Sequence, residues 1–381
     1  MKKQLVVALG LTVLATPAFA SKARLQALGE DTNGSFYVND NRNIFLNAAN
    51  INNHKDLVTF EWGDTTQATD STTAPRAEGG FFKSAGNLNY GVQLGSQSNT
   101  SNGFRAISGV SSIEENNIDV FVGGDAGLKW GANVTYSKSE KDETASGAKQ
   151  DAIRTRLGVI AGDIEGYANI SIANHAQDAN SKFKGNLGYQ VGAIYNLNDY
   201  RIFADYRSNS GKANGTTTGA TDGDLSSSKL QVGAGRATKL NDKATLFTKA
   251  QFEMNKANSD FGAVAFGGTC GTDTSIGCKN YNSMSVPVVA GLEYDAASWL
   301  TLRSSVSQTL WGTQEVKSTS KGFAASTAVN AGASLKFGEM TVDGVIGNSL
   351  GGAAVSSSTS GGTGNLRTDN LMSRVSMTYR F

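Results

Sequence analysis

Apolar and polar side chains alternate residue by residue along sixteen stretches of this sequence, starting at Leu57. A period of two sends successive side chains to opposite faces of a β-strand, so each stretch predicts a strand with one apolar and one polar face. The predicted strands are 57–63, 78–84, 87–96, 116–123, 127–138, 149–161, 164–174, 183–195, 199–208, 227–238, 243–254, 282–294, 298–309, 323–336, 339–348 and 368–381. The sequence therefore predicts an all-β fold from residue 57 onward.

The connectors between these strands alternate strictly between short and long. Gly162-Asp163 and Phe337-Gly338 are typical short ones, whereas the long ones are rich in Ser, Thr, Gly and Asn. Outer-membrane barrels have short periplasmic turns, longer external loops and an even number of strands. A soluble secreted β-sandwich, the alternative, has no reason to sort its loops by length. We therefore expect a transmembrane antiparallel β-barrel of about sixteen strands, with both termini on the periplasmic side.

The N-terminal residues have the features of a secretory signal peptide. Lys2 and Lys3 form the positive region, residues 5–14 are apolar, and Ala18-Phe19-Ala20 is an A-x-A cleavage site. Cleavage is expected before Ser21. No later apolar run approaches the ~18 residues of a transmembrane helix. The predicted organisation is a signal peptide (1–20), a periplasmic or lumen-facing segment (21–56) and a barrel (57–381).

The composition fits a single barrel and excludes several functions. Acidic and basic residues nearly balance, so the chain lacks the excess of basic residues that is typical of nucleic-acid binding. Glycine is abundant, with 45 residues, and proline scarce, with 3, although a loop-rich soluble protein usually places proline at its turns. Pro287 falls inside a predicted strand, where it removes a ladder donor and indicates a bulge or a later strand start.

Cys270 and Cys278 are the only two cysteines of the chain. A close, even pair in an exported protein favours a disulfide that stiffens a small loop. A two-ligand metal site is the competing interpretation, but no histidine or third cysteine lies near the pair in sequence.

Charged residues fall on the polar face of the predicted strands. Each would cost about 2–4 kcal/mol toward lipid at the bilayer midplane, but little toward water. We therefore expect them to line an aqueous channel, which a barrel of ~16 strands is wide enough to hold. The pore-lining candidates are Lys129, Arg154, Arg156, Arg201, Asp205, Arg207, Lys229, Lys249, Glu253, Glu293, Arg303, Lys336 and Arg374. Basic candidates outnumber acidic ones, which indicates a mild preference for anions.

The last stretch places Val375, Met377, Tyr379 and Phe381 on one face and cationic or hydroxyl side chains on the other. It resembles the C-terminal closing strand of Gram-negative outer-membrane barrels, which the barrel-assembly machinery recognises. In size and topology the chain resembles the trimeric general porins, and in general likeness the major outer-membrane proteins of predatory deltaproteobacteria. The resemblance implies contact with outer-membrane lipid and lipopolysaccharide, a homotrimer, and a third external loop that constricts the pore. Here that loop, 139–149, is short and acidic and does not match the porin loop motif, so a solvated acidic loop is the other interpretation.

The segment 21–56 does not alternate. Its Asn47-Ala48-Ala49 is loosely similar to the Asn-Pro-Ala triplet that precedes the first strand in the long-chain fatty-acid transporter family, but it lacks the proline. That resemblance implies a plug inside the barrel. An ordered periplasmic lead-in is the other interpretation.

Catalysis is not expected, and neither is a cofactor. The two histidines, His54 and His175, are predicted at opposite ends of the barrel, and Asp222-Gly-Asp224 reads as a turn in a long loop rather than a calcium site. The sequence therefore predicts an outer-membrane porin for small hydrophilic solutes and ions. The alternatives are a plugged transporter of hydrophobic substrates and a structural or adhesive barrel.

Overall fold

The structure, a computed structural model, describes most of the chain. The described residues are 21–63, 77–98, 101, 105, 110, 114–140, 147–179, 181–215, 222–259, 281–316, 320–322, 325–353 and 374–381. The predicted signal peptide and the predicted Cys270–Cys278 disulfide lie outside them. Within these ranges no helix is long and apolar enough to span a membrane.

Sixteen antiparallel strands make up the barrel, and two of them are each interrupted once. Each strand pairs with the next along the chain. The strands are β1 Leu57–Gly63, β2 Ala77–Ala85, β3 Leu88–Ser96, β4 Asn117–Asp125, β5 Lys129–Glu140, β6 Lys149–Ala161, β7 Ile164–Gln177, β8 Ser181–Gly185 with Gly188–Leu197, β9 Tyr200–Gly215, β10 Gly223–Asn241, β11 Ala244–Ser259, β12 Tyr281–Ala297, β13 Leu300–Val316, β14 Ser320–Gly322 with Ala325–Phe337, β15 Met340–Ala353 and β16 Arg374–Arg380.

The last strand closes the barrel on the first. β16 pairs with β1 along its whole length, from Leu57 opposite Arg380 to Gly63 opposite Arg374. Beyond it, the Phe381 ring stacks on Phe81 of β2 at 5.7 Å. Closure gives the first and the last strand a partner on both sides, which is the condition for a sheet to cross hydrocarbon. The predicted all-β fold, a closed antiparallel barrel of sixteen strands, is confirmed.

The exterior is apolar and the interior polar, strand by strand. On β5 the side chains of Val134 and Tyr136 are exposed on the outside, whereas Asn133 and Thr135 are buried on the inside. The same alternation places Val375, Met377 and Tyr379 of β16 outward. A continuous apolar outer surface of this extent suits a hydrocarbon solvent.

Several strands run further on the long-loop side than the alternation predicts. β9 continues through 209–215 and β10 begins at Gly223, so the predicted turn at Asp222-Gly-Asp224 is wrong for its last two residues. Asp224 instead lies across the ladder from Lys212. Beyond the bilayer both faces meet water, so these extensions need no apolar face that sequence could reveal.

Pro287 lies within β12, and the expected bulge is confirmed. Val286 pairs with Trp311 and Pro287 with Thr309, so the register skips one residue of β13 at the proline. A bulge at this point accommodates a residue that has no backbone N–H to give to the ladder.

The N-terminal segment forms three short helices: α1 (Lys22–Ala27) and two 3-10 helices, Asn41–Phe45 and Ala48–Asn52. Each begins after a polar residue whose side chain accepts a hydrogen bond from the backbone: Ser21 from the Arg24 N–H, Asp40 from the Arg42 N–H and Asn47 from the Ala49 N–H. These caps explain why so short a segment keeps a defined shape.

A charge on the outer face of β5 is expected to destabilise the protein. Val134→Arg should cost about 2–4 kcal/mol of unfolding free energy, because Val134 lies near the middle of a strand that faces lipid. Guanidinium unfolding in lipid bilayers measures this cost. The control is Ser139→Arg, at the exposed external end of the same strand, and equal losses for the two variants would contradict the lipid-facing assignment.

Candidate functional site

Residues 21–54, here called the plug, fill part of the lumen. The side chains of Leu25, Leu28 and Ile51 are completely buried, although no strand of the barrel contains them. The plug contacts wall strands on all sides of the ring. These contacts join Ser21 to Asp343 of β15, Arg24 to Glu293 of β12, Glu30 to Lys249 of β11, Phe36 to Phe203 of β9, Asn52 to Trp130 of β5 and Arg42 to Glu78 of β2.

A buried charge network fastens α1 to the wall. The Arg24 guanidinium binds both oxygens of Glu293, with Nη2 2.7 Å from Oε2 and Nε 3.0 Å from Oε1. Arg303 Nε lies 2.7 Å from the same Oε1, and Arg303 Nη1 lies 2.7 Å from Asp343 Oδ1. Ser21 donates to Asp343 at 3.1 Å and completes the link. Forked guanidinium–carboxylate pairs are strong and directional, so the network sets the orientation of α1.

A second network joins α1 and the first 3-10 helix to β1 and β2. Arg42 Nη1 lies 2.5 Å from Glu78 Oε1 and 3.8 Å from Glu61 Oε1. Lys22 Nζ lies 2.8 Å from Glu78 Oε2, and the guanidinium of Arg42 covers the Phe45 ring at 4.1 Å. Removing one partner of such buried pairs costs about 3–5 kcal/mol, because it leaves an uncompensated charge.

A row of three glycines makes room for the second 3-10 helix. Gly123, Gly131 and Gly158 lie side by side on the inner faces of β4, β5 and β6. A methyl group added at Gly131 would lie 2.2 Å from the Ala48 carbonyl oxygen. One added at Gly158 would lie within the Asn47 side chain. The wall therefore has a depression shaped to this helix.

Apolar contacts join the plug to the wall between the charged networks. The Phe36 and Phe203 rings stack at 4.3 Å, and Tyr37 meets Phe247 edge to face at 6.5 Å. One buried cluster contains plug and wall residues together: Ile44, Phe45, Ile51, Leu57, Phe82 and Phe121. These groups pack against each other and not around an empty space.

A cavity of about 380 Å³ lies between the plug and the external mouth. Glu30, Asp31, Phe36 and Leu46 of the plug form one side. The wall contributes cations and amides from β6 to β11: Arg154, Arg156, Asn169, Asn174, Gln190, Arg207, Asn209, Lys229, Gln231 and Lys249. The cavity is rich in hydrogen-bond donors, and Phe36, Phe45 and Leu46 add apolar surface to it.

Described residues of the second external loop are buried in the mouth of the barrel. Arg105 is completely buried and donates to Asn174 Oδ1 at 2.7 Å, Gln150 Oε1 at 3.1 Å and the Asp151 carbonyl at 3.2 Å. Glu114, also fully buried, pairs with Arg154. The described residues of the third loop region, 139–140 and 147–149, are largely exposed.

Every pore-lining candidate lies on the inner face, and most have a partner: Lys129 and Asp205 have a neutral one, and the others form ion pairs. The pairs are Lys129 with Asn53, Arg154 with Glu114, Arg156 with Asp119, Arg201 with Glu165, Asp205 with Tyr167, Lys229 with Glu253, Lys249 with Glu30, Glu293 with Arg24, Arg303 with Asp343 and Lys336 with Asp295. Arg207 and Arg374 also interact with other groups. Because most of these cations are paired with carboxylates, the anion preference stays a prediction.

Sequence reasoning missed the plug's own charges. Lys22, Arg24, Glu30, Asp40 and Arg42 each pair with another charged group inside the barrel. The signal was present, since charges in a segment without alternation do not face lipid. Their partners, which are far away in sequence, could not be predicted.

Two plug groups have shifted pKa values of opposite sign. Burial, helped by nearby Arg380, Arg24 and Lys129, lowers the pKa of His54 to about 3. Burial raises the pKa of Asp40 to about 7, although Arg24 opposes the rise. In an undocked plug both groups would return toward ordinary values, near 6.5 and 3.9.

These shifts predict opposite pH dependences for two variants. Between pH ~6.5 and 3, His54 is protonated when the plug is undocked but neutral when it is docked. His54 therefore weakens docking as the pH falls toward 3. Below pH ~7, Asp40 is protonated when the plug is docked, but it stays ionised down to pH ~4 when the plug is undocked. Asp40 therefore strengthens docking as the pH falls. As the pH falls from 7 to 4, the plug of His54→Gln should therefore dock progressively more tightly, and the plug of Asp40→Asn progressively less tightly.

Hydrogen exchange of plug amides, corrected for the intrinsic rate at each pH, measures docking in both variants. Wild type, in which the two effects oppose, serves as the reference. If the docking free energy changed with pH in the same direction in both variants, this account would be contradicted.

No protein-family model matches the sequence, and the comparison with curated proteins finds no match. The comparison with solved structures finds similar chains at low sequence identity. A bacterial polysaccharide outer-membrane secretin has a TM-score of 0.46 at 8% identity, covering 85% of this chain and 97% of that one. The monoaromatic hydrocarbon channel CymD has 0.39 at 10%, covering 95% and 98%, and a porin has 0.39 at 12%, covering 85% and 99%.

The closed barrel, its apolar exterior and its short turns at one end define the class of protein. The chain is a sixteen-stranded transmembrane β-barrel of the cell outer membrane.

Proposed function

We propose that this protein is an outer-membrane channel for small polar solutes, closed by its own plug. The observation that carries the proposal is the character of the wall behind the plug. That wall offers charged groups such as Glu293, Arg303 and Asp343, together with glycines, to the plug. Water can hydrate these groups when the plug leaves, so an open lumen would be an aqueous path.

The plug lies toward the short-turn end, which is periplasmic in barrels of this kind. Its second 3-10 helix contacts Gly131 and the carbonyl of Trp130, just after the short turn that precedes β5. The cavity lies beyond it, toward the external loops. A solute would therefore enter the cavity from outside and pass inward only when the plug moves.

The plugged transporter of hydrophobic substrates has less support. Phe82 and Phe121 are used in packing the plug, and the wall side of the cavity carries five cations and several amides, although Phe36, Phe45 and Leu46 of the plug also line it. The likenesses to general porins, to predatory deltaproteobacterial proteins and to the fatty-acid transporter family stay predictions. So do the homotrimer, the binding of lipopolysaccharide and recognition by the assembly machinery.

Single-channel conductance in planar bilayers tests the proposal. Mature protein should show rare or small openings, because the plug obstructs the lumen. A variant lacking residues 21–54 should show large, steady, ohmic steps. A folded deletion variant that does not conduct would overturn the proposal, with folding verified by heat-modifiable electrophoretic mobility.

A substitution in the wall should reproduce the deletion without shortening the chain. Gly131→Val places a side chain where the Ala48 carbonyl lies, so docking should fail and steady conductance should appear. Valine itself suits a strand. The matched control is Gly166→Val, at an outward-facing position of β7 where an added methyl group meets only Val159, at 3.6 Å. It should leave the channel closed.

A further inference from the structure

The cavity above the plug points to a ligand class. We propose that it binds small organic carboxylates, and that Glu30 of the plug occupies, in the closed state, the position that a ligand carboxylate takes beside Lys249. Binding itself follows from the cavity's own groups. The coupling between binding and plug release rests on the proposed function.

Glu30 is held as a bound carboxylate would be. Its Oε1 lies 2.6 Å from Lys249 Nζ, and its Oε2 accepts a hydrogen bond from Ser35 Oγ at 2.9 Å. The side chain of Glu30 is 2% exposed and that of Lys249 is 10% exposed. Both residues line the cavity, so the carboxylate site adjoins the space that a solute would enter.

The charges around the cavity are distributed unequally between wall and plug. All charged lining residues from the wall are cations: Arg154, Arg156, Arg207, Lys229 and Lys249. Both acidic lining residues, Glu30 and Asp31, belong to the plug. The wall carboxylates that pair with these cations, such as Asp119 and Glu253, lie outside the cavity lining. An incoming carboxylate would therefore meet cationic donors from the wall at the cavity surface, while the carboxylates at that surface belong to the plug.

Exchange of one carboxylate for another makes plug release easier. If Glu30 leaves Lys249 with nothing in its place, a buried ammonium group loses its counter-charge, and that loss is costly. A ligand carboxylate that takes the same position removes most of this cost. Ligand binding and plug release therefore favour each other, because the ligand binds the undocked state more tightly than the docked one.

Calorimetric titration of refolded full-length protein in detergent micelles with succinate tests the binding. Glu30→Gln removes the competing carboxylate and should tighten binding about tenfold, whereas Lys249→Met should weaken it about tenfold, as expected for one charge-assisted hydrogen bond. The matched control is Lys212→Met, an exposed lysine of β9 whose Nζ lies 3.9 Å from Asp224, and it should bind like wild type.

Opposite effects of the two substitutions are the signature of competition. A purely structural pair would make both variants bind more weakly, and that result would overturn the inference. So would equal binding of butane-1,4-diol, which has the same chain length without charge. Tighter binding of inorganic phosphate than of succinate would overturn the assignment to carboxylates.

The two proposals fail separately. If succinate binds, with the opposite effects of Glu30→Gln and Lys249→Met, but the plug-deletion variant does not conduct, the channel proposal is wrong and the binding site stands. If the deletion variant conducts but succinate does not bind, the carboxylate site is wrong and the channel stands. Addition of succinate to mature protein in the bilayer should raise its open probability, and no change would refute the coupling.

Discussion

Hydrocarbon offers no partner for a backbone hydrogen bond, and the rest of this structure depends on that fact. It requires β16 to pair with β1, so that residues more than three hundred positions apart share one ladder. Closure in turn creates an enclosed lumen whose inner face can carry charge.

The lumen poses a second problem, because charges removed from bulk water need partners. The wall and the plug solve it jointly. Glu293 is shared between Arg24 of the plug and Arg303 of the wall, and Arg303 continues to Asp343. Paired groups of this kind specify one arrangement while remaining compatible with water. A plug held by apolar contacts alone would instead leave an apolar wall, poorly hydrated, after its release.

The glycine row on β4 to β6 and the cavity above the plug show how closely shape and charge are matched. The glycines let the backbone of the Ala48–Asn52 helix approach the wall closely. The cavity then forms where the plug ends, between Glu30 and the cations of β6 to β11. In the proposed channel, closure and recognition of the solute would therefore depend on the same few contacts.

The sequence alone determined the strands, their number and which side chains face inward, because a period of two is a local property that any ten residues display. It placed Arg154, Arg156 and Arg303 inside correctly. It left open whether residues 21–56 enter the lumen, and it contained no sign that Glu30 meets Lys249 or that Arg105 of the second loop is buried. These contacts join residues separated by tens to hundreds of positions. They exist only once the ring has closed, so only the tertiary structure decided whether the lumen holds water or a plug.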